Sequence, residues 1–344
     1  MKTVRNDGLD PYLTHLRALP FVRAVKAEPP RGAKRPVADL LLRLRTPTGE
    51  RRLRAEVKRT HLTRPLVEGL LARTPIGARK DLILFAPYVG AEIGRRLRDN
   101  GVNYVDAAGN CFLALDRGYF AQVEGRRPLK RAPIERGIRG PGYRVIFAVL
   151  ARPDLLDVPV RTLADVAGVG KTTAAETLRR LEAEGLVGAD RERRHLLRAR
   201  DLLDRWVTGY ATAVRPRLTM GRFRTNDPGP EALEARIERE LGDTTRWAWG
   251  GGAAAMRLTG YYRGPDTVLH LEHPLPETGK RLRAIPADDG PLIVLGAPGP
   301  IAFEGARERT VHPLLVYTEL LATGDERARE AAHELWIRYR TDGA

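Results

Sequence analysis

Thr162–Val187 reads TLADVAGVGKTTAAETLRRLEAEGLV. Its pattern decides the architecture of the middle of the chain. Thr162–Ala167 is a short helix, Gly168-Val169-Gly170 a turn, and Lys171–Glu184 a longer helix closed by Gly185. In the longer helix Ala174, Leu178 and Leu181 fall at i, i+4 and i+7, a single face turned to a core. Upstream, Gly142–Ala151 (GYRVIFAVLA) is an apolar helix. Downstream, Leu186–Leu197 runs strand, turn, strand around Asp190-Arg191-Glu192-Arg193-Arg194. Helix, helix, turn, helix and hairpin is the order of a winged helix-turn-helix.

In that frame Lys171, Thr172 and Thr173 open the recognition helix, where side chains and backbone N–H groups meet DNA. Thr173, Glu176, Thr177 and Arg180 are expected to point away from the core and read base edges. Arg191, Arg193 and Arg194 on the wing are expected to touch phosphate. Gly170-Lys171-Thr172-Thr173 also looks like the end of a nucleotide-binding phosphate loop. That loop needs a Gly five residues before Gly170, where Asp165 stands, and a strand before it rather than a helix. ATP or GTP binding is therefore not expected.

The charge agrees with a polyanion partner. The chain of 344 residues carries 59 Lys+Arg against 43 Asp+Glu, a net of +16. Residues 225–344 hold 14 basic and 19 acidic residues, so residues 1–224 carry all of the excess. Only 8 of the 59 cations are Lys, a preference for Arg that does not explain the asymmetry. The single Cys111 forms no intramolecular disulfide, the N-terminus has no signal-like apolar run, and no stretch reaches membrane-span length. A cytoplasmic protein without a membrane segment is expected.

Composition divides the chain into residues 1–124, a basic Pro/Gly/Arg-rich linker 125–141, residues 142–224, and residues 225–344 after the break Arg224–Pro230. The first part predicts α-β-β-α-β-α-β. A helix covers Pro11–Val25, and Val37–Arg45 and Arg51–Arg59 form a hairpin about Thr46-Pro47-Thr48-Gly49. Helix Pro65–Arg73, buried strand Asp81–Tyr88, helix Gly90–Asn100 and the strand region Asn103–Leu115 follow. Two apolar strands flanking a helix imply a mixed sheet covered on both faces. Within Asn103–Asn110 (NYVDAAGN), Gly109 and Asn110 read as a turn, and Cys111 as core.

Asp39 opens the first hairpin strand, and alternation puts Glu56 and Lys58 on one face of the second. Asp39 and Glu56 would supply the oxygens of an Mg²⁺ site, and Lys58 would orient or deprotonate an attacking water. Lys, unlike Arg, shifts its pKa readily. On these residues and this element order, residues 9–120 resemble the PD-(D/E)xK superfamily, the restriction-endonuclease-like fold. The resemblance implies Asp39, Glu56 and Lys58 as catalytic residues. The first helix offers no acid beyond Asp10 to complete a four-residue set, so weak or absent cleavage is expected.

Leu202–Leu218 (LLDRWVTGYATAVRPRL), Trp247–Gly264 (WAWGGGAAAMRLTGYYRG) and Val311–Trp336 (VHPLLVYTELLATGDERAREAAHELW) resemble the AbiEi-like antitoxins of type IV toxin–antitoxin systems. That resemblance implies a DNA-binding transcriptional regulator and, in some members, neutralisation of a nucleotidyltransferase toxin encoded alongside. Trp247–Tyr262 also looks like the opening of a nucleotidyltransferase fold: strand, Gly250-Gly251-Gly252 turn, helix. The next strand carries Val268, His270 and Glu272 at alternating positions, so the paired acids of an active enzyme are missing.

The expected fold class is thus α/β plus α+β: a restriction-endonuclease-like mixed sheet, a winged helix-turn-helix, and a degenerate nucleotidyltransferase-like α+β domain. The expected function is DNA-binding regulation of the antitoxin kind. A Mg²⁺-dependent nuclease using the winged helix for capture is the alternative, and a scaffold acting through the acidic C-terminal part a third class. Duplex DNA, a nucleotidyltransferase toxin and a second copy of the chain are the expected partners. Glu319, Glu326, Glu330 and Glu334 are expected to steer a basic protein onto a separable 225–344 fragment.

Overall fold

A computed structural model describes residues 8–29, 39–59, 62–115, 118–127, 138–190, 193–243, 245–273, 278–305 and 307–339. The chain divides into two compact units, Met1–Glu135 and Arg136–Ala344.

The first unit runs α1 (Asp10–Arg17), β1 (Ala24–Glu28), β2 (Leu40–Thr46), β3 (Gly49–Val57), α2 (Arg64–Arg73), α3 (Ile76–Arg79), β4 (Leu82–Ala86), α4 (Ala91–Asp99), β5 (Asn103–Asp106), β6 (Cys111–Leu115) and β7 (Tyr119–Val123). The seven strands lie in one sheet in sequence order. β3, β4 and β5 are parallel and the other pairs antiparallel, so the sheet is mixed. One face packs Tyr12, Leu13 and Leu16 of α1 against Leu42, Leu53, Phe85 and Leu113. The other packs Leu66, Leu70 and Leu97 against Leu84 and Tyr104. β4 is buried along its whole length, as a central strand covered on both faces must be.

The β2–β3 hairpin stands as expected, with Thr46 opposite Gly49. The first helix is shorter than its periodicity implied. Pro20 cannot continue a helix, so the chain turns after Arg17 and enters β1. β1 and β7 are additions to the expected order. Both are partly exposed edge strands with a weak apolar signal.

The second unit begins with α5 (Gly140–Ala151), α6 (Val160–Ala167), α7 (Lys171–Ala183), β8 (Val187–Asp190) and β9 (Arg193–Leu196). These are the three helices and hairpin expected from the sequence. Gly140 and Pro141, read as linker, already belong to α5. Val145, Phe147, Leu163, Ala174, Leu178 and Leu181 form the interior of the helix trio. α6 ends on Gly168, whose φ of +64° is the left-handed conformation that only glycine adopts cheaply.

The chain continues through α8 (Ala199–Gly209), a π-helical turn (Tyr210–Val214), α9 (Arg215–Leu218), β10 (Thr219–Arg224), α10 (Pro230–Leu241), β11 (Trp247–Gly250), α11 (Gly251–Thr259), β12 (Thr267–Leu271), α12 (Thr278–Arg281), β13 (Ile285–Pro286), β14 (Leu292–Gly296), α13 (Pro313–Thr323) and α14 (Glu326–Tyr339). The sheet order is β11-β12-β14-β10-β13, with only β12 and β14 parallel. The boundary read at Arg224–Pro230 is therefore displaced. β10 ends at Arg224 yet pairs with β14 and β13, so residues before the break complete the sheet formed after it. Asp325 caps α14 as expected, its carboxylate accepting from Arg327 N and Ala328 N, each at 3.3 Å. No described helix is long and apolar enough to cross a membrane.

Candidate nucleic-acid interface

α7 presents its N-terminus outward. Lys171 and Thr172 are exposed and Thr173 is half-buried. Gly170 at the N-cap supplies no side-chain acceptor, so the first N–H groups of α7 are left for solvent or an anion. The helix follows a turn and another helix, not a strand, in keeping with the rejection of a phosphate loop. Farther along, Glu176 is exposed, and so is Arg179, which the sequence reading passed over.

Thr177 does not point away from the core. It is 6% exposed, and a β-carbon added at Gly142 of α5 would stand 2.9 Å from its hydroxyl. It is a packing residue between α5 and α7. It lies three residues after Ala174, so the buried face is wider than the Ala174–Leu178–Leu181 seam.

Two of the expected cations are held within the fold. Arg180 donates to Glu184 at 2.9 Å, and Arg205 of α8 donates to the other oxygen of the same carboxylate. Burial pushes the Glu184 carboxyl up, but the two guanidinium groups outweigh it and hold the group below its ordinary value. Arg194 donates to Glu182 at 2.7 Å, while its backbone N–H donates to Asp157 at 2.9 Å, which fastens β9 to α7 and to the turn after α5. Arg193 is exposed. Arg191 lies outside the described residues.

In the first unit, Lys58 Nζ lies 2.9 Å from Glu56 Oε2, and Lys58 is 7% exposed. Alternation therefore holds, with Val57 packed on the opposite face. Asp39 is exposed, and its carboxylate accepts from Val57 N at 2.8 Å. The three residues lie together where β2 begins and β3 ends. Among the described residues no three His, Cys, Asp or Glu side chains converge to hold a metal ion.

The helix after the β8–β9 hairpin is tied to α13 by buried polar groups. Trp206 Nε1 donates to Thr318 Oγ1 at 2.9 Å, and Tyr210 OH donates to Glu319 Oε1 at 2.7 Å. Glu319 also faces His270 Nε2 at 2.8 Å and accepts from Gly251 N at 2.7 Å. Residues 195–340 match the family model described as transcriptional regulator, AbiEi antitoxin, type IV TA system. The comparisons with curated proteins and with solved structures gave no match.

The AbiEi-matched region runs from β9 to the end of α14, and this whole buried network lies inside it. It corrects two expectations. Glu319 is not a surface carboxylate but is 5% exposed at the centre of the network. And residues 225–344 are not separable from α8, because Thr318 and Glu319 satisfy the buried donors of Trp206 and Tyr210. Glu326, Glu330 and Glu334 are exposed on α14, with Glu326 paired to Arg329 at 2.7 Å. His270 spends its two ring nitrogens on Glu319 and Gly296 O, which accounts for it without a metal. Glu319 also fills the N-terminus of α11, a helix end that would otherwise be open to an anion.

The turn before α7 is braced from the same region. Gly168 packs on Gly299 and Pro300, and a β-carbon on Gly299 would stand 2.6 Å from Ala167 O. Phe147 of α5 meets His312 edge-on at 5.9 Å.

Proposed function

We propose that the chain is a DNA-binding transcriptional regulator of the type IV antitoxin kind, reading duplex DNA through α5–α7 and the β8–β9 hairpin as a winged helix. The observation that carries this reading is the exposed N-terminus of α7, with Lys171 and Thr172 outward and Arg193 exposed on the hairpin, built into the same compact unit as the AbiEi-matched region. Thr173, Glu176 and Arg179 are the base-reading set; Arg180 serves once it exchanges Glu184 for a base. Arg193 is a phosphate contact, and so is Arg194 once it leaves Glu182. A nucleotidyltransferase toxin is the partner that the antitoxin role requires, and a dimer suits a two-fold operator.

The test is binding to duplex DNA from the chain's own promoter as salt rises. Lys/Arg contacts release counterions, so affinity falls steeply with salt, and Arg193→Ala weakens all sequences alike. Arg179→Ala reduces preference for one site by about 1–3 kcal/mol. Salt-insensitive binding removes the reading.

A second reading rests on Asp39, Glu56 and Lys58. The Glu56–Lys58 pair lies at the carboxyl end of the parallel strands, the end of such sheets that carries ligands. Here Asp39 and Glu56 would hold Mg²⁺, which polarises the scissile phosphate, and the domain would be a restriction-endonuclease-like nuclease. Metal-dependent cleavage lost in Asp39→Ala, Glu56→Ala and Lys58→Ala alike would promote this reading above the regulator.

A further inference from the structure

The NYVDAAGN stretch, read from sequence as a strand and turn, performs a definite task. Asp106 is fully buried at the end of β5 and accepts three hydrogen bonds: Val89 N at 2.9 Å, Asn110 N at 2.8 Å and Asn110 Nδ2 at 2.7 Å. So fixed, the Asn110 amide pairs with both backbone groups of Arg126. Nδ2 donates to Arg126 O at 2.9 Å, and Oδ1 accepts from Arg126 N at 2.8 Å. Asn110 thus does what a neighbouring strand would do. It seats the first residues of the basic linker on the first unit.

The seating places a cation. A β-carbon on Gly109 would collide with the Arg126 guanidinium and come within 2.9 Å of the His15 ring. His15 Nε2 in turn donates to Ala107 O at 3.3 Å. Gly109, with φ of +89°, is the residue that lets the two basic side chains close over the loop. Arg126 and Arg127 remain exposed, and no described carboxylate pairs with Arg126. Asp106 beneath them has its charge directed at three N–H donors.

The cluster lies at the carboxyl-end edge of the parallel strands. β3, β4 and β5 are parallel, so their carboxyl ends share one edge of the sheet. Lys58 N donates to Phe85 O, and Ala107 N to Ala86 O. The Glu56–Lys58 pair and the His15–Arg126 pair therefore flank the end of β4, about two strand spacings (~10 Å) apart.

We propose that His15, Arg126 and Arg127, held by the Asp106–Asn110 clamp, form a second contact surface for the phosphate backbone of duplex DNA on the first unit. It rests on the DNA-binding reading above and adds to it a site outside the winged helix. The clamp spares Arg126 the ordering entropy that a free linker cation loses on binding.

The experiment measures the affinity of the full chain for a mixed-sequence duplex across a salt series. Arg126→Ala should make the slope of log K against log salt shallower by about one unit, and lower affinity about threefold at moderate salt. Arg126→Lys should restore most of the slope. Arg45→Ala, an exposed cation at the opposite end of the same sheet, removes equal charge and should leave the slope unchanged. Asn110→Ala keeps the cations but frees their backbone, and should behave as Arg126→Ala does with thermal unfolding followed in parallel. Wild-type slope in Arg126→Ala, or an equal loss in Arg45→Ala, overturns the proposal and leaves the winged helix standing. A wild-type chain that binds no duplex removes both.

Discussion

Glu319 Oε1 lies 2.8 Å from His270 Nε2, although the two residues stand on different elements, α13 and β12, and both are buried. Burial raises the Glu319 carboxyl, but His270, Tyr210 and the Gly251 N–H together hold it below its ordinary value. A carboxyl depressed in the fold contributes stability above its unfolded value, near 4.5, and that stability is lost as pH falls through the lower folded value. Urea unfolding below pH about 4.5 should show this limb in the wild type and lack it in Glu319→Gln. Glu319→Ala should cost roughly 3–5 kcal/mol at neutral pH, since it strands buried donors.

His312 gives an acid limb in a different window. Its Nδ1 accepts from Leu314 N at 3.1 Å at the start of α13, and burial pushes the imidazole down to about 4 from 6.5. The unfolded chain then takes up a proton first. Stability is complete above about 6.5 and declines by roughly 3 kcal/mol as pH falls toward 4. His312→Asn keeps an acceptor for the Leu314 N–H and should flatten the profile between those values. An unchanged pH profile in that variant counts against a neutral buried imidazole.

Gly299 tests the brace on the turn between α6 and α7. Its φ is +128°, and a β-carbon would press on the Ala167 carbonyl. Gly299→Ala should cost about 1–3 kcal/mol. On the DNA-binding reading proposed above it should also weaken DNA binding, although Gly299 lies outside α5–α7 and the β8–β9 hairpin. Full binding by this variant, with stability lowered, would show that the turn tolerates displacement.

Lys58→Met should destabilise the first unit by several kcal/mol, because Glu56 would keep a charge at 14% side-chain exposure without its 2.9 Å partner. Pairing it with Glu56→Gln should recover part of the loss. A double-mutant cycle in thermal unfolding separates this structural role from any role in metal-dependent cleavage.

The elements legible in the sequence were those with a local cause. Thr46-Pro47-Thr48-Gly49 set the hairpin, and Ala174, Leu178 and Leu181 set the buried seam of α7. The carboxylate of Glu319 was not legible. Its partners Tyr210, Gly251 and His270 come from three other segments, and a Glu is rarely buried unless it is paired. Thr177 carried a faint signal, its spacing from Ala174, which only the approach of Gly142 makes decisive. The boundary at Arg224 followed charge, a surface property, whereas β10 is assigned by its pairing with β14.

The contact between Gly168 and Gly299–Pro300 also has a consequence in time. About 130 residues separate its two sides. At ribosomal speed, α5, α6 and α7 emerge on the order of ten seconds before the glycine that seats their turn. Thr318 and Glu319, which close the buried ends of Trp206 and Tyr210, are made later still. A nascent or prematurely ended chain therefore carries α5, α6 and α7 in an unfinished state, still without the contacts that the AbiEi-matched region supplies.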